Sequence, residues 1–337
     1  MIIRAIFDFS YCSFAQRDVK LKEHIYAFCM CKYKKSANEN RGFPMNIKTA
    51  LKTRSHLGEG IFWDDRREAF FWVDILRREL HCLKDGKDWL IRAFSDYVGF
   101  CIPCEDGRLA VGCGLRLLLL DPETGSLTEW LSVDQEHPFN RFNDAKATPD
   151  GMILAGTMNN ALNEGEAEHA DTGGLFLIDG RSRTVTRLME RLIVSNGIAF
   201  TPDGKTVYHT DTYTQTICAY EYDGQMKQLR GRREAVKIPI ESGSPDGFTI
   251  ASDGTLFVAH WGGGAVRQYC PETGEELSAM EIPARHVTSC CFGGKNLDEL
   301  FVTTSSIDAS EEEFPLAGSI FSIKPGIKGM KVHRLAL

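Results

Sequence analysis

Six times along the chain a tight polar turn is followed at once by a short strand-forming run, and this recurrence limits the possible folds more than any other feature. Asp64-Asp65-Arg66-Arg67 leads to Ala69-Phe70-Phe71-Trp72-Val73-Asp74, and Glu105-Asp106-Gly107 to Arg108-Leu109-Ala110-Val111-Gly112. Pro149-Asp150-Gly151 leads to Met152-Ile153-Leu154-Ala155-Gly156-Thr157, and Pro202-Asp203-Gly204 to Thr206-Val207-Tyr208-His209-Thr210-Asp211. Ser252-Asp253-Gly254 leads to Thr255-Leu256-Phe257-Val258-Ala259-His260, and Lys295-Asn296-Leu297-Asp298-Glu299 to Leu300-Phe301-Val302-Thr303-Thr304. Proline presets one corner of such a turn and glycine accepts the positive φ of the next. The units recur every roughly 40 to 50 residues, the length of a four-stranded blade, which predicts an all-β, six-bladed β-propeller. A β-sandwich is the alternative fold, and the regular spacing weighs against it. Pro122-Glu123-Thr124-Gly125, repeated at Pro271-Glu272-Thr273-Gly274, marks a second kind of hairpin turn within the blades.

Residues 1–46 do not carry this unit and are read as an N-terminal extension, with Met45 the more natural beginning and the propeller spanning 47–337. The chain is 43% hydrophobic and 25% charged, as globular proteins are. A net charge of -7, with no basic block interleaved with aromatics, argues against nucleic acid as a partner. The longest apolar run, Leu115 to Leu120, is interrupted by Arg116 and falls far short of the ~20 residues that span a bilayer, so no membrane partner is expected. The N-terminus lacks the basic start, apolar core and cleavage site of a secretory signal, which predicts a cytoplasmic location. The expected partner is a small molecule, and the expected state a monomer or small homo-oligomer. Eleven cysteines at irregular spacing, with Cys290 and Cys291 adjacent, suit reduced thiols. Cys101-Ile102-Pro103-Cys104 lacks the second pair a zinc site would need and is read as ordinary strand and turn cysteines.

In a propeller the loops before the innermost strands gather round a central channel, so polar residues at the start of each repeat carry the chemistry. Four stand there: Glu59 in Leu57-Gly58-Glu59-Gly60, Asn143 in Arg141-Phe142-Asn143-Asp144, Asn196 in Ser195-Asn196-Gly197, and Asp246 in Pro245-Asp246-Gly247. Carboxylate and amide oxygens of this kind make a hard site for one divalent ion, best suited to calcium, magnesium or manganese, with zinc and ferrous iron also accommodated. Asn and Asp before Gly also form turns without any ligand, whereas Glu between glycines has no such use. Considered alone, Arg141 could be a surface ion pair and Asp144 a local cap. His209 and His260 alternate along strand-like runs and read as packing groups. Trp63 and Trp72 read as blade core, and Trp261, before three glycines, as core or as channel lining.

The strings Leu-Gly-Glu-Gly-x-x-Trp-Asp at 57–64, Arg-Phe-Asn-Asp at 141–144, Ala-Gly-Thr-Met at 155–158 and Ser-Asn-Gly-Ile-Ala-Phe-Thr-Pro-Asp-Gly-Lys at 195–205 continue with Ser-Pro-Asp-Gly at 244–247. Ala259-His260-Trp261-Gly262-Gly263-Gly264 and Thr288-Ser289-Cys290-Cys291-Phe292-Gly293-Gly294 follow. Over about residues 55–325 the chain resembles the gluconolactonase, senescence-marker-protein (regucalcin) and luciferin-regenerating family. That resemblance implies a metal held by Glu59, Asn196 and Asp246, substrate held by Arg141 and Asn143, and Asp246 as general base. It also implies a further acidic substrate contact before Gly173-Gly174-Leu175-Phe176, where Glu166 and Glu168 are the candidates. The implied activity is metal-dependent hydrolysis of a sugar aldonolactone such as a glucono-, arabinono- or xylono-lactone. A non-catalytic calcium-binding regulatory propeller and an organophosphate or aryl-ester hydrolase on the same scaffold are the alternatives. Gly-x-Ser-x-Gly is absent, so no seryl nucleophile is expected.

Overall fold

The structure, a computed structural model, describes residues 47–160 and 170–337; the extension at 1–46 and the candidates Glu166 and Glu168 lie outside the described residues. The described residues form six four-stranded antiparallel sheets. Strand β1 (Lys48–Leu51) precedes the first complete sheet, β2 (Gly58–Asp64), β3 (Ala69–Asp74), β4 (Glu79–Lys84) and β5 (Lys87–Ala93). The second holds β6 (Val98–Pro103), β7 (Leu109–Cys113), β8 (Arg116–Leu120) and β9 (Leu127–Ser132), and the third β10 (Asn140–Ala147), β11 (Ile153–Asn159), β12 (Gly173–Asp179) and β13 (Thr184–Leu192). The fourth holds β14 (Ser195–Phe200), β15 (Thr206–Asp211), β16 (Thr216–Asp223) and β17 (Gln228–Lys237). The fifth holds β18 (Ser244–Ile250), β19 (Leu256–Trp261), β20 (Ala265–Tyr269) and β21 (Glu276–Glu281). The sixth is completed across the chain: β22 (His286–Gly293), β23 (Glu299–Ser305) and β24 (Ile320–Ile323) pair in turn, and β1 adds as the outermost strand.

The first strand of each sheet packs on the first strands of the sheets beside it, in the order β2, β6, β10, β14, β18, β22 and back to β2. The sheets are therefore blades of a six-bladed propeller, with those six strands round the axis. Six apolar clusters fill the spaces between consecutive blades. Phe71 and Leu80 meet Val98 and Val111, Phe100 and Leu117 meet Phe142 and Ile153, and Leu154 and Leu175 meet Ile198 and Val207. Tyr208 and Ile217 meet Phe248 and Val258, Phe257 and Val266 meet Phe292 and Val302, and Ile61 and Trp72 meet Cys291 and Ile320. Alternate side chains of one strand serve opposite interfaces: Leu109 and Val111 face the blade before, Ala110 the blade after. Burial on both faces explains why second strands such as Ala69–Asp74 and Leu109–Cys113 read as nearly continuous apolar runs rather than alternating ones. The fourth strand Gln228–Lys237 is an edge rich in charge, which discourages pairing with other chains.

The six turn signals lie where the sequence places them, between the first and second strands of successive blades. In four of them a glycine N–H closes the turn onto the carbonyl three residues back: Gly107 onto Cys104, Gly151 onto Thr148, Gly204 onto Thr201 and Gly254 onto Ala251, at 2.8–3.3 Å. Pro-Glu-Thr-Gly closes the third-to-fourth strand hairpins, with Gly125 N–H on Asp121 O and Gly274 N–H on Cys270 O, both 2.8 Å. Cys101 and Cys104 are buried free thiols pushed up in pKa by that burial, as strand cysteines are. Trp72 is fully buried, and among the described residues no helix is long and apolar enough to cross a membrane.

Inner strands approach one another closely enough to exclude side chains. A methyl group on Gly99 of β6 would lie 2.8 Å from the Asn143 carbonyl oxygen and closer still to that of Phe142, both in β10. Backbone cannot yield as a side chain can. Gly86, in an open hairpin at φ 71, meets nothing within 4 Å. We therefore expect Gly99→Ala to cost about 2–4 kcal/mol in urea unfolding and Gly86→Ala only about 1 kcal/mol from its positive φ. Equal costs would contradict this packing.

Candidate functional site

Each inner strand carries a register irregularity at one level. It falls between Glu59 and Phe62 in β2, Val98 and Phe100 in β6, Phe142 and Ala145 in β10, Asn196 and Ile198 in β14, Pro245 and Phe248 in β18, and Val287 and Ser289 in β22. A bulge inserts an extra residue into one strand and re-aims its side chain. Around the ring this level carries Glu59, Val98, Asn143, Asn196, Asp246 and Val287. Four of the six positions are polar, and these are the four that the sequence singles out.

Asn196 Nδ2 donates to Asp246 Oδ1 at 2.5 Å and to Thr212 Oγ1 at 3.1 Å, and the Thr212 hydroxyl donates to the Pro245 carbonyl at 3.0 Å. The Glu59 carboxyl group lies near enough to Asp246 for its charge to raise the Asp246 pKa. Glu59, Asn196 and Asp246, far apart in the chain, thus converge from blades one, four and five. Glu59 is half-buried, and Asp246 is buried. Burial, reinforced by the Asp144 carboxylate, pushes Glu59 up to about 8. Asp246 is raised well above the carboxylate range, first by burial and then by Glu59.

Arg141 is buried, not a surface ion pair. Its Nε donates to Asn160 Oδ1 at 3.1 Å, and one terminal nitrogen donates to both the Phe142 carbonyl and Asn143 Oδ1 at 2.8 Å. Burial pulls it down to about 10 against the attraction of Glu59. Asn143 in turn donates from Nδ2 to the Ser195 carbonyl at 3.0 Å, tying blade three to blade four. Arg141 and Asn143 therefore form one braced arm beside the carboxylates.

Asp144 is more than a local cap. One oxygen accepts from the Ala145 N–H at 2.8 Å, but Oδ2 is buried without a partner, and its charge raises both Glu59 and Asp246. At the matching place the other blades carry Gly60, Gly99, Gly197, Gly247 or Thr288. The sequence signal was there: Asn-Asp in one repeat where its neighbours read Glu-Gly, Asn-Gly and Asp-Gly. Lys146, two residues on, partly offsets the charge of Glu59 and Asp144.

The histidines are packing groups. His209 Nε2 meets Ser195 Oγ at 2.8 Å, while His260 uses Nδ1 on the Ser242 carbonyl at 2.9 Å and Nε2 on the Tyr269 hydroxyl at 3.2 Å. Burial pulls them down to about 4 and about 3. Trp261 stacks on His286 of the next blade with ring centroids 4.1 Å apart. A separate group, Asp134, Glu136 and His137, brings three ligand-type atoms within 4.8 Å, but Arg187 bonds to both of its carboxylates. A guanidinium already supplies the positive charge there.

The fold and the hub cluster define a propeller with an acidic, oxygen-rich centre. The chain belongs to the SMP-30/Gluconolactonase/LRE-like family, whose model matches residues 57–306. It is 32% identical to Gallus gallus regucalcin over 299 residues, 87% of this chain and 99% of that one. It is 33% identical over 283 residues to a Bacillus subtilis protein whose name is that of a sugar lactone lactonase, YvrE, covering 82% and 94% of the two chains. Among solved structures, regucalcin from Agrobacterium tumefaciens, titled a calcium-binding protein, superposes with a TM-score of 0.80 at 26% identity over 88% of this chain and 99% of that one.

Like charges gathered at the hub oppose folding where Lys146 and Arg141 offset them only in part. In metal-free protein at pH 8, Glu59→Gln is expected to raise stability by about 1–2 kcal/mol in urea unfolding. A loss of stability would contradict the reading of Glu59 as electrostatically strained.

Proposed function

We propose that the protein hydrolyses sugar lactones to the corresponding aldonic acids with the help of one divalent ion. The observation that carries this reading is the convergence of Glu59, Asn196 and Asp246 beside the braced Arg141–Asn143 arm. The donor set fits a hard cation: carboxylates that repel one another, an amide, and a buried Asp144 oxygen without a partner. Glu59, Asn196 and Asp246 would hold it. A bound divalent ion supplies a Lewis acid for the lactone carbonyl and compensates the carboxylate charge.

The other roles belong to the chain. Asp246, oriented by the Asn196 amide, accepts the proton of the attacking water, so the carboxylate and the carbonyl carbon face each other across that water. Arg141 offers guanidinium donors to the ring oxygen or hydroxyl groups, and its bracing by Asn160, the Phe142 carbonyl and Asn143 means that little freedom is lost on binding. With Oδ1 and one amide hydrogen committed, Asn143 has a second amide hydrogen for the substrate.

Asp246→Asn should lower kcat/KM for aldonolactones by about 10²–10³ while leaving the circular dichroism unchanged. Chelation should abolish turnover, and added calcium, manganese or zinc should restore it. Full activity in chelated protein sinks the metal-dependent reading. A calcium-binding role without turnover is favoured by the regucalcin relatives, one of which, from Agrobacterium tumefaciens, is described as a calcium-binding protein. Tight metal binding with no hydrolysis across five- and six-carbon lactones would select it.

A further inference from the structure

We propose that Asp134 is a positioning residue that holds the Arg141–Asn143 arm in place, and that its acidic cluster is a latch closed by Arg187 rather than a second metal site. Asp134 follows β9 at φ 53, at the start of the connection that leads into β10, and its carboxylate is 1% exposed. Both oxygens are fully used. Oδ1 accepts from Arg187 and from His137 Nδ1, each at 2.8 Å. Oδ2 accepts from Asn140 Nδ2 at 2.6 Å and Thr157 Oγ1 at 2.9 Å.

These donors come from the first, second and fourth strands of blade three and from the segment before it, and the third strand is reached through Thr157. Asn140 opens β10, immediately before Arg141, and its amide also donates to the Thr172 carbonyl at 2.8 Å. Thr157 lies in β11, opposite Phe142, and its hydroxyl oxygen accepts from Gly174 N–H of β12 at 2.9 Å. Arg187 lies in β13, stacked over the Phe176 ring of β12 at 5.1 Å and bonded to Glu136 as well. One buried anion therefore fixes the start of the arm against the whole blade. Four donors saturate its two oxygens, which leaves no room for a cation.

An amide cannot replace it. Asn at this position keeps one acceptor oxygen, and its NH₂ confronts two donors in a buried place. The kinetic consequence rests on the lactonase reading, while the structural one does not, so the test has both parts. In manganese-loaded full-length protein, Asp134→Asn is expected to speed amide hydrogen exchange at least tenfold in peptides covering 140–146 and 157–160. Peptides covering 57–62 and 244–250 should be unchanged, and manganese should bind with one-to-one stoichiometry and affinity within twofold of wild type. KM for the best lactone should rise at least tenfold with kcat changed less than threefold, and Thr157→Val, which removes one donor of four, should give a smaller shift in the same direction. Unchanged or uniformly faster exchange, or loss of a second manganese equivalent in the variant, would overturn the proposal. If wild type hydrolyses no lactone but the local exchange effect is present, the latch stands and the lactonase reading falls.

Discussion

Everything at the hub depends on the irregularity in each inner strand. A regular strand would send successive side chains alternately into the two blade interfaces, as Leu109, Ala110 and Val111 do in β7, and would leave none for the axis. An extra residue at one level breaks that alternation. The same level recurs in β2, β6, β10, β14, β18 and β22, so residues from separate repeats meet in one plane. Gly99, Gly197 and Gly247 beside the bulges let neighbouring inner strands approach more closely than a side chain would allow.

Such a centre is held against its own preference. Burial and mutual repulsion drive Glu59 and Asp246 toward the neutral form, and Arg141 and Lys146 only partly offset the charge. The cost is carried by six apolar interfaces and by closure of the ring, in which β1 completes the blade begun by β22. Local polar networks add rigidity where direction matters most. Arg141 and Asn143 brace each other, Thr212 spans from Asn196 to the Pro245 carbonyl, and Asp134 ties blade three together. Such preorganisation is what oriented chemistry at a carbonyl requires.

The blades were legible because their turns are local: four consecutive residues decide a Pro-Asp-Gly corner, and repetition reveals the rest. Glu59 was legible because Glu between glycines has no turn-forming use. The family resemblance added roles for Arg141 and Asn143 that spacing alone left open. Asp144 passed as a cap because the charge it places near Glu59 and Asp246 depends on a bulge, and register shifts have no signature in one strand's sequence. The Asp134 latch was missed for a different reason. Its arginine partner, Arg187, is 53 residues away on the outermost strand of the next blade, a pairing that only the folded chain defines.

The central claim is that one divalent ion belongs at the hub. An anomalous difference map from a crystal of the protein grown with manganese tests it most directly. The account requires one strong peak about 2.0–2.6 Å from oxygens of Glu59, Asn196 and Asp246, and none beside Asp134. A peak at the Asp134 cluster with an empty hub would contradict it.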